Sequence, residues 1–427
     1  MTDTLARRAT TLDDKYEVQN DWVYLTGMQA LVRLPLQQRA RDAAMGWNTA
    51  GYISGYRGSP MGRYDMELWA AEAQLKKANV VFRAGLNEDL AATAIWGSQQ
   101  VGNFAGAQVD GVFGIWYGKG PGVDRSGDAL RHANLAGTAP RGGVICLAGD
   151  DHGAKSSTVA NFSDPIFMAV GIPILYPSNT QELLDYGLHG IAMSRYSGCW
   201  VALKVVTDVV EGGGSVCVSV DAPQIHTPAQ PAMPADAQGH GVHIRAVDMA
   251  LPQEQRLYVH KIHAALAYAQ CNGLNRITVH PAAAKVGIVA AGKAWQDLLQ
   301  ALAQMGWSEQ HLQDWGIRLL KVGMIWPLDP QIVREFAAGL DTVVVVEEKR
   351  PILEDQLRTI LYGQAQAPQL VGKYFDGSVF DPLRSAMAFP DYGEVSPPLV
   401  AQVLRRALQA HLPAAAFAAT TPLESQS

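Results

Sequence analysis

Asn48-Thr49-Ala50-Gly51-Tyr52-Ile53-Ser54 runs directly into Gly55-Tyr56-Arg57-Gly58-Ser59-Pro60, and the reading of this stretch decides the fold. The first seven residues read as a strand and the next six as a glycine-spaced loop. Pro60 to Lys77 then reads as a helix, with Ser59 as its N-cap and Pro60 at the first helical position. A strand, a tight loop and a helix in that order make the repeating unit of a layered α/β protein.

The same unit recurs outward from this stretch. Val80 to Arg83 is a short strand, followed by a helix beginning near Asn87. Gly111 to Tyr117, Gly143 to Ala148, Ile172 to Tyr176 and Trp200 to Thr207 are apolar runs of strand length, and Thr180 to Ser197 has the period of a helix. A polar, proline-rich stretch, 212–252, reads as a crossing with little regular structure. A helix from Pro252 to Cys271 opens a second unit with strands at Lys285 to Ala290, Ile317 to Val322 and Thr342 to Glu347, and the last helix runs from Pro397 to Leu412. The expectation is therefore an α/β chain of two parallel-sheet domains, 16–211 and 253–412, joined by the crossing 212–252. The polar tail 413–427 is expected to be disordered.

Composition narrows the function. With 427 residues, 48% hydrophobic and 17% charged, the chain is long enough for two or three buried cores. A formal net charge of −6 with scattered Lys and Arg disfavours a nucleic-acid partner. No apolar run approaches the roughly 20 residues that span a bilayer, and no apolar stretch follows Arg7-Arg8, so neither membrane nor secretion is indicated and a cytoplasmic location is expected. The four cysteines, Cys146, Cys199, Cys217 and Cys271, have no metal or cluster spacing. They read as ordinary thiols.

Four segments carry candidate chemistry. Gly55 to Pro60 lets backbone approach a ligand, or is only a tight turn. Gly85-Leu86-Asn87-Glu88-Asp89 places two acids before a helix of small apolar residues, where a carboxylate is either a dipole partner or a deliberately buried acid. Gly118-Lys119-Gly120-Pro121-Gly122 follows a strand, and its glycines could cradle a ligand. Gly149-Asp150-Asp151-His152-Gly153-Ala154-Lys155-Ser156-Ser157 follows another, and pairs acids with one histidine, thin material for a metal site. All four fall at carboxyl ends of strands, where open α/β sheets bind ligands. Gly287 to Ala294 matches the first part of a phosphate loop, but Ala294 stands where a Ser or Thr would hold Mg²⁺, so a nucleotide-binding reading is disfavoured.

As an ordered set these segments resemble the N-terminal portion of the indolepyruvate:ferredoxin oxidoreductases. The resemblance is carried by LTGMQALVRLPL from Leu25, SGYRGSPMG from Ser54, GLNEDLAATAIWG from Gly85, WYGKGPGVDRSGD from Trp116, LAGDDHGAKSST from Leu147 and LHGIAMSRYSGCW from Leu188. It implies two thiamine-enzyme units, a pyrimidine-binding domain and a transketolase-C-terminal-like domain. It places Glu88 at the glutamate that hydrogen-bonds the aminopyrimidine of thiamine diphosphate, where a carboxyl group favours the tautomer that can take the thiazolium proton. Gly58, Ser59, Gly120, Pro121 and Gly122 are the implied cofactor-side loops. Ser59 is the residue expected near a substrate carbonyl, and Arg57 and Arg125 are the candidates for the substrate carboxylate.

The resemblance also has gaps. The chain lacks a GDG…N motif for Mg²⁺ and diphosphate, and it has no CxxC. It is read as a subunit sharing thiamine diphosphate with a partner that carries Mg²⁺ and iron–sulfur clusters, in a hetero-oligomer. The implied reaction is oxidative decarboxylation of an aryl 2-oxoacid with CoA as acyl acceptor, with electrons passing to ferredoxin or a similar carrier. A sister enzyme for another 2-oxoacid and a catalytically silent scaffold are the alternatives.

Overall fold

The computed structural model describes residues 10–17, 19–230, 232–235 and 239–417. Fourteen strands are found among them: β1 Asp21–Thr26, β2 Thr49–Gly55, β3 Val80–Phe82, β4 Gly111–Lys119, β5 Val144–Asp150, β6 Ile174–Leu175, β7 Val201–Val206, β8 Gly213–Val218, β9 Arg276–Val279, β10 Val286–Ala291, β11 Ile317–Val322, β12 Met324–Trp326, β13 Thr342–Val346 and β14 Gln369–Val371.

The first sheet has the order β12-β6-β7-β5-β4-β2-β3, parallel except at β12. Its central strands β4 and β5 are buried almost throughout, because helices cover both faces. From β2 the chain steps outward to β3 and then returns to the opposite side of β2 to lay down β4. This reversal opens a crevice at the carboxyl ends of β2 and β4, the topological switch point at which such sheets take ligands.

The second sheet, β14-β13-β10-β11-β9, is parallel except at β9. Its outer face packs under the helices Gly292–Gln304 and Pro397–Leu408. Its inner face, with Val289, Leu320, Val343 and Val345, joins the core of the first unit without a break.

The two parallel α/β units stand as expected, with differences at their margins. The edge strands β9 and β12 are antiparallel, and β12 belongs in sequence to the second unit yet completes the first sheet against β6. The crossing is less irregular than its composition suggests. β8 pairs antiparallel with β1 from Thr26↔Gly213 to Asp21↔Val218, and the following helix starts at Ala250 and runs through a π turn to Cys271. Ser59 is not a helix cap: the Ser59–Pro60 peptide is cis, the chain turns through Pro60 to Arg63, and the helix begins at Tyr64. Pro60 and Met61 are occupied in packing against Gly149 at the end of β5. At the other end, Ala414–Phe417 forms a 3₁₀ turn whose Ala416 carbonyl accepts from Trp307 Nε1 at 2.8 Å, so packing extends past Leu412. The rest of the expected disordered tail lies outside the described residues.

Candidate functional site

Glu88 opens the helix Glu88–Ser98, whose N-cap is Asn87, with its side chain accepting from Leu90 N at 2.9 Å. The cap duty thus falls to Asn87 and leaves the Glu88 carboxylate for something else. Glu88 is 7% exposed, and its backbone carbonyl is held by Trp116 Nε1 at 3.0 Å. Among the described residues, none donates a hydrogen bond to its carboxylate. The residue is buried, yet its carboxylate oxygens are not among the atoms fully cut off from solvent, so the group is open to a ligand entering the corner.

The loops singled out in the sequence meet around this group. Gly122 faces Glu88 so closely that a Cβ there would lie 2.6 Å from Glu88 Cγ, and one on Gly118 would lie 3.4 Å from the same atom. Gly120, Pro121 and Gly122 form the first turn of a short helix, Gly120–Arg125, instead of an open loop. Gly120 abuts Asn161, and Gly58 abuts the Lys119 side chain, where a Cβ would lie 2.5 Å from Cδ. Ser59 Oγ hydrogen-bonds Ser156 Oγ from the loop after β5. The ends of β2, β4 and β5 and the head of the Glu88 helix therefore converge on one corner.

The two arginines part company. Arg125 pairs with Asp89, Nε to Oδ1 at 2.7 Å, with both side chains well exposed. Arg57 is exposed and makes no hydrogen bond or ion pair with any described residue. The paired acids after β5 do not gather a metal: no group of His, Cys, Asp and Glu suited to one is found among the described residues. Asp151 instead turns back on its own loop, accepting from Lys155 N at 3.0 Å and Ser156 N at 2.8 Å.

His152 ties this loop to the second unit. Its Nδ1 lies 2.7 Å from Glu348 Oε2, and its carbonyl accepts from Lys349 Nζ. Burial alone would raise the Glu348 carboxyl, but His152, Lys293 and the backbone N–H of Val395 hold it well below the usual carboxylate range. Lys293, the lysine of the apparent phosphate loop, is occupied by Asp297 at 2.7 Å, Glu348 at 3.1 Å and the Val395 carbonyl at 2.8 Å, and Gly287 to Ala291 lies in β10. Nothing there can receive a phosphate. The Glu348 and Ser156 contacts had no signal in the sequence, since each joins segments about a hundred residues apart or more.

Residues 276–418 match the family model of the indolepyruvate oxidoreductase domain. The indolepyruvate oxidoreductase subunit IorA of Methanothermobacter marburgensis is 25% identical over 375 residues, which cover 86% of this chain and 53% of the relative. That of Methanothermobacter thermautotrophicus is 26% identical over 361 residues, 84% of this chain and 52% of the relative. Residues 276–418 thus carry the indolepyruvate oxidoreductase domain, and most of the chain is similar to IorA subunits. It spans about half the length of the curated relatives it matches. A 2-oxoglutarate:ferredoxin oxidoreductase from Magnetococcus marinus, solved with 2-oxoglutarate, coenzyme A and succinyl-CoA bound, superposes with a TM-score of 0.60. That match covers 91% of this chain and 66% of the other at 13% identity, a likeness of fold.

Two sizeable hollows lie elsewhere. A cavity of about 510 Å³ lies by Trp47 and Arg195, under the crossing segment and at the amino ends of the strands. A trough of about 650 Å³ runs between Phe162 and Ile360 at the junction of the units. Neither is lined by Glu88 or its glycines. The corner around Glu88 has the position and the unpartnered acid, and it stands as the candidate site. No helix among the described residues is long and apolar enough to cross a membrane.

Proposed function

We propose that the chain is one subunit of a thiamine-diphosphate-dependent 2-oxoacid:ferredoxin oxidoreductase of the indolepyruvate type, supplying the aminopyrimidine half of the cofactor site. The observation that carries this reading is Glu88, a largely buried residue whose carboxylate has no hydrogen-bond donor among the described residues, wedged on Gly118 and Gly122 at the switch point of a parallel sheet. These residues fit the pyrimidine end of the cofactor: an acid for a ring nitrogen, and glycines that leave room beside it. Thiamine diphosphate, once bound, supplies the nucleophilic carbon and the electron sink for decarboxylating a 2-oxoacid.

The chain's own residues do the rest. Glu88 offers its carboxyl group to the ring nitrogen, held in place by the close fit of Gly118 and Gly122 against its side chain. Gly58, Ser59, Gly120, Pro121 and Gly122 wall the corner. Arg57, with no ion pair, is the group available to an incoming carboxylate. The substrates are an aryl 2-oxoacid and CoA. Mg²⁺, the diphosphate and the iron–sulfur clusters belong to a partner subunit, through which electrons reach ferredoxin or a similar acceptor. Exposed apolar side chains around the Glu88 helix and the β3 edge, Met66, Trp69, Val81, Leu86 and Leu90, support coverage by that partner.

The test is titration calorimetry with thiamine diphosphate and Mg²⁺, with a dye-reduction assay on an aryl 2-oxoacid, for the chain with and without the partner. Activity is expected only in the assembly, and Glu88→Gln should cut its turnover roughly 10²–10⁴-fold while the fold persists. Near-normal turnover of a folded Glu88→Gln assembly would reduce Glu88 to part of a helix start. Tight cofactor binding and turnover by the chain alone would overturn the shared site.

A further inference from the structure

The loop after β5 does more than fill space beside the candidate site. Asp151, 1% exposed, accepts on Oδ2 from Ser156 N at 2.8 Å and from Ser156 Oγ at 3.2 Å. Ser156 Oγ in turn hydrogen-bonds Ser59 Oγ. A carboxylate and two hydroxyls thus stand in series, with one end fixed on the loop and the other at the Glu88 corner. The loop itself is clamped from the second unit by Lys349 on the His152 carbonyl, by Glu348 on His152 and by Glu394 on Lys155 at 3.0 Å.

The direction of the chain follows from counting hydrogens. Burial would raise the Asp151 carboxyl, but the backbone N–H groups of Ser156 and Lys155 hold it below the usual carboxylate range, so it is ionised and can only accept. Ser156 has one hydroxyl hydrogen and gives it to Asp151. The hydrogen in the Ser59–Ser156 contact must then come from Ser59. That leaves Ser59 with lone pairs alone for anything else it meets.

We propose that Asp151 and Ser156 are positioning residues that fix the Ser59 hydroxyl as a hydrogen-bond acceptor toward the ligand of the Glu88 corner. The ligand group facing Ser59 is then a donor, an amino, imino or hydroxyl hydrogen, and not the keto or carboxylate oxygen of a 2-oxoacid. This rests on the reading of the corner as a cofactor site. It departs from the carbonyl-side role that the resemblance implies for Ser59, and it assigns Ser59 to the amino-bearing pyrimidine side instead.

Two measurements test it. Joint neutron and X-ray diffraction of deuterium-exchanged crystals of the chain should show the deuteron between the two hydroxyls bonded to Ser59 Oγ. A deuteron bonded to Ser156 Oγ and pointing at Ser59 would overturn the proposal whatever the function. In the partner-assembled enzyme, Ser156→Ala frees the Ser59 hydrogen, and the half-saturating thiamine diphosphate concentration should rise about tenfold, the worth of one hydrogen bond. KM for the 2-oxoacid should stay unchanged, and Ser156→Thr should restore the cofactor requirement. A rise in KM for the oxoacid with cofactor demand unaltered, or no change in either, would count against it. If Glu88→Gln also had no effect, the cofactor corner itself would fail, and the deuteron position would still decide the direction of the hydroxyl chain.

Discussion

Gly122 has no room for a side chain because Glu88 occupies the space: a Cβ would lie 2.6 Å from Glu88 Cγ and 2.7 Å from Oε1. Gly122 is buried in the first turn of the helix Gly120–Arg125, so its backbone cannot retreat freely. Gly122→Ala should therefore push the carboxylate off its place without unfolding the chain. Overpacking of this kind costs on the order of 1–3 kcal/mol. The expected result is a folded protein with turnover in the assembled enzyme lowered at least tenfold, read by steady-state assay beside a melting curve. Full turnover in Gly122→Ala would show that the position of Glu88 is immaterial.

Arg57 and Arg125 make opposite predictions. Arg125 is taken by Asp89 in an exposed pair worth about 0–1 kcal/mol, whereas Arg57 has no ion pair among the described residues. Arg57→Gln should raise KM for the 2-oxoacid about tenfold or more, since a hydrogen bond to a charged group is worth roughly 1.5–3 kcal/mol. Arg125→Gln should leave KM within about twofold, on the same grounds of screening. The reverse order would transfer the carboxylate to Arg125.

The two units should unfold as one. β12 completes the first sheet although it follows β11 of the second, and a buried ion pair, Glu182 with Lys321, and a buried hydrogen bond, His152 with Glu348, cross between the units. Calorimetry should show a single transition. Glu348→Ala, which leaves His152 Nδ1 without its partner and Lys293 with only Asp297 and the Val395 carbonyl, should lower stability by about 1–3 kcal/mol. Two resolved transitions in the unaltered chain would mean that the joint is weaker than its contacts.

What the sequence made legible follows the physics of each element. β4, β5, β10, β11 and β13 are buried almost throughout on both faces, and so they read as apolar runs of strand length. Glycine loops at their carboxyl ends marked the candidate corner, and at Gly122 the Glu88 side chain fills the space that a Cβ would take. β12 is only three residues long, too short for any period, and its partner β6 lies some 150 positions back. β8 begins Gly213-Gly214-Ser215 and looks like part of the crossing until β1 supplies its partner. The helix Gly27–Ala44 has a capping box of Thr26 and Gln29, yet Pro35 within it spoils the pattern. Ser59 with Ser156 and His152 with Glu348 join residues 97 and 196 positions apart, and no local signal pairs them.

Acid should destabilise the fold through two histidines held as neutral rings, His189 buried and His243 half-buried. Burial holds His189 and His243 down to about 4, against an ordinary value of 6.5. His189 is only 5% exposed, and its Nδ1 lies 3.0 Å from Tyr268 Oη. Between those two pH values the unfolded chain binds protons that the folded one refuses. The stability each ring contributes is thus complete above pH 6.5 and is lost as pH falls through 4. Asp185 and Asp297, pushed up to about 6 chiefly by burial, work the other way: their contribution is complete below the ordinary 3.8 and fades as pH rises through 6. The net slope of the unaltered chain mixes both signs, so a variant is needed to isolate one group. His189→Asn keeps a neutral partner for Tyr268 and removes the titration. At about 1.4 kcal/mol per tenfold change in proton affinity, the unaltered chain should lose roughly 3 kcal/mol more than the variant between pH 6.5 and 4. Denaturant unfolding at a series of pH values measures that difference, and parallel curves for the two proteins would show that His189 charges freely inside the fold.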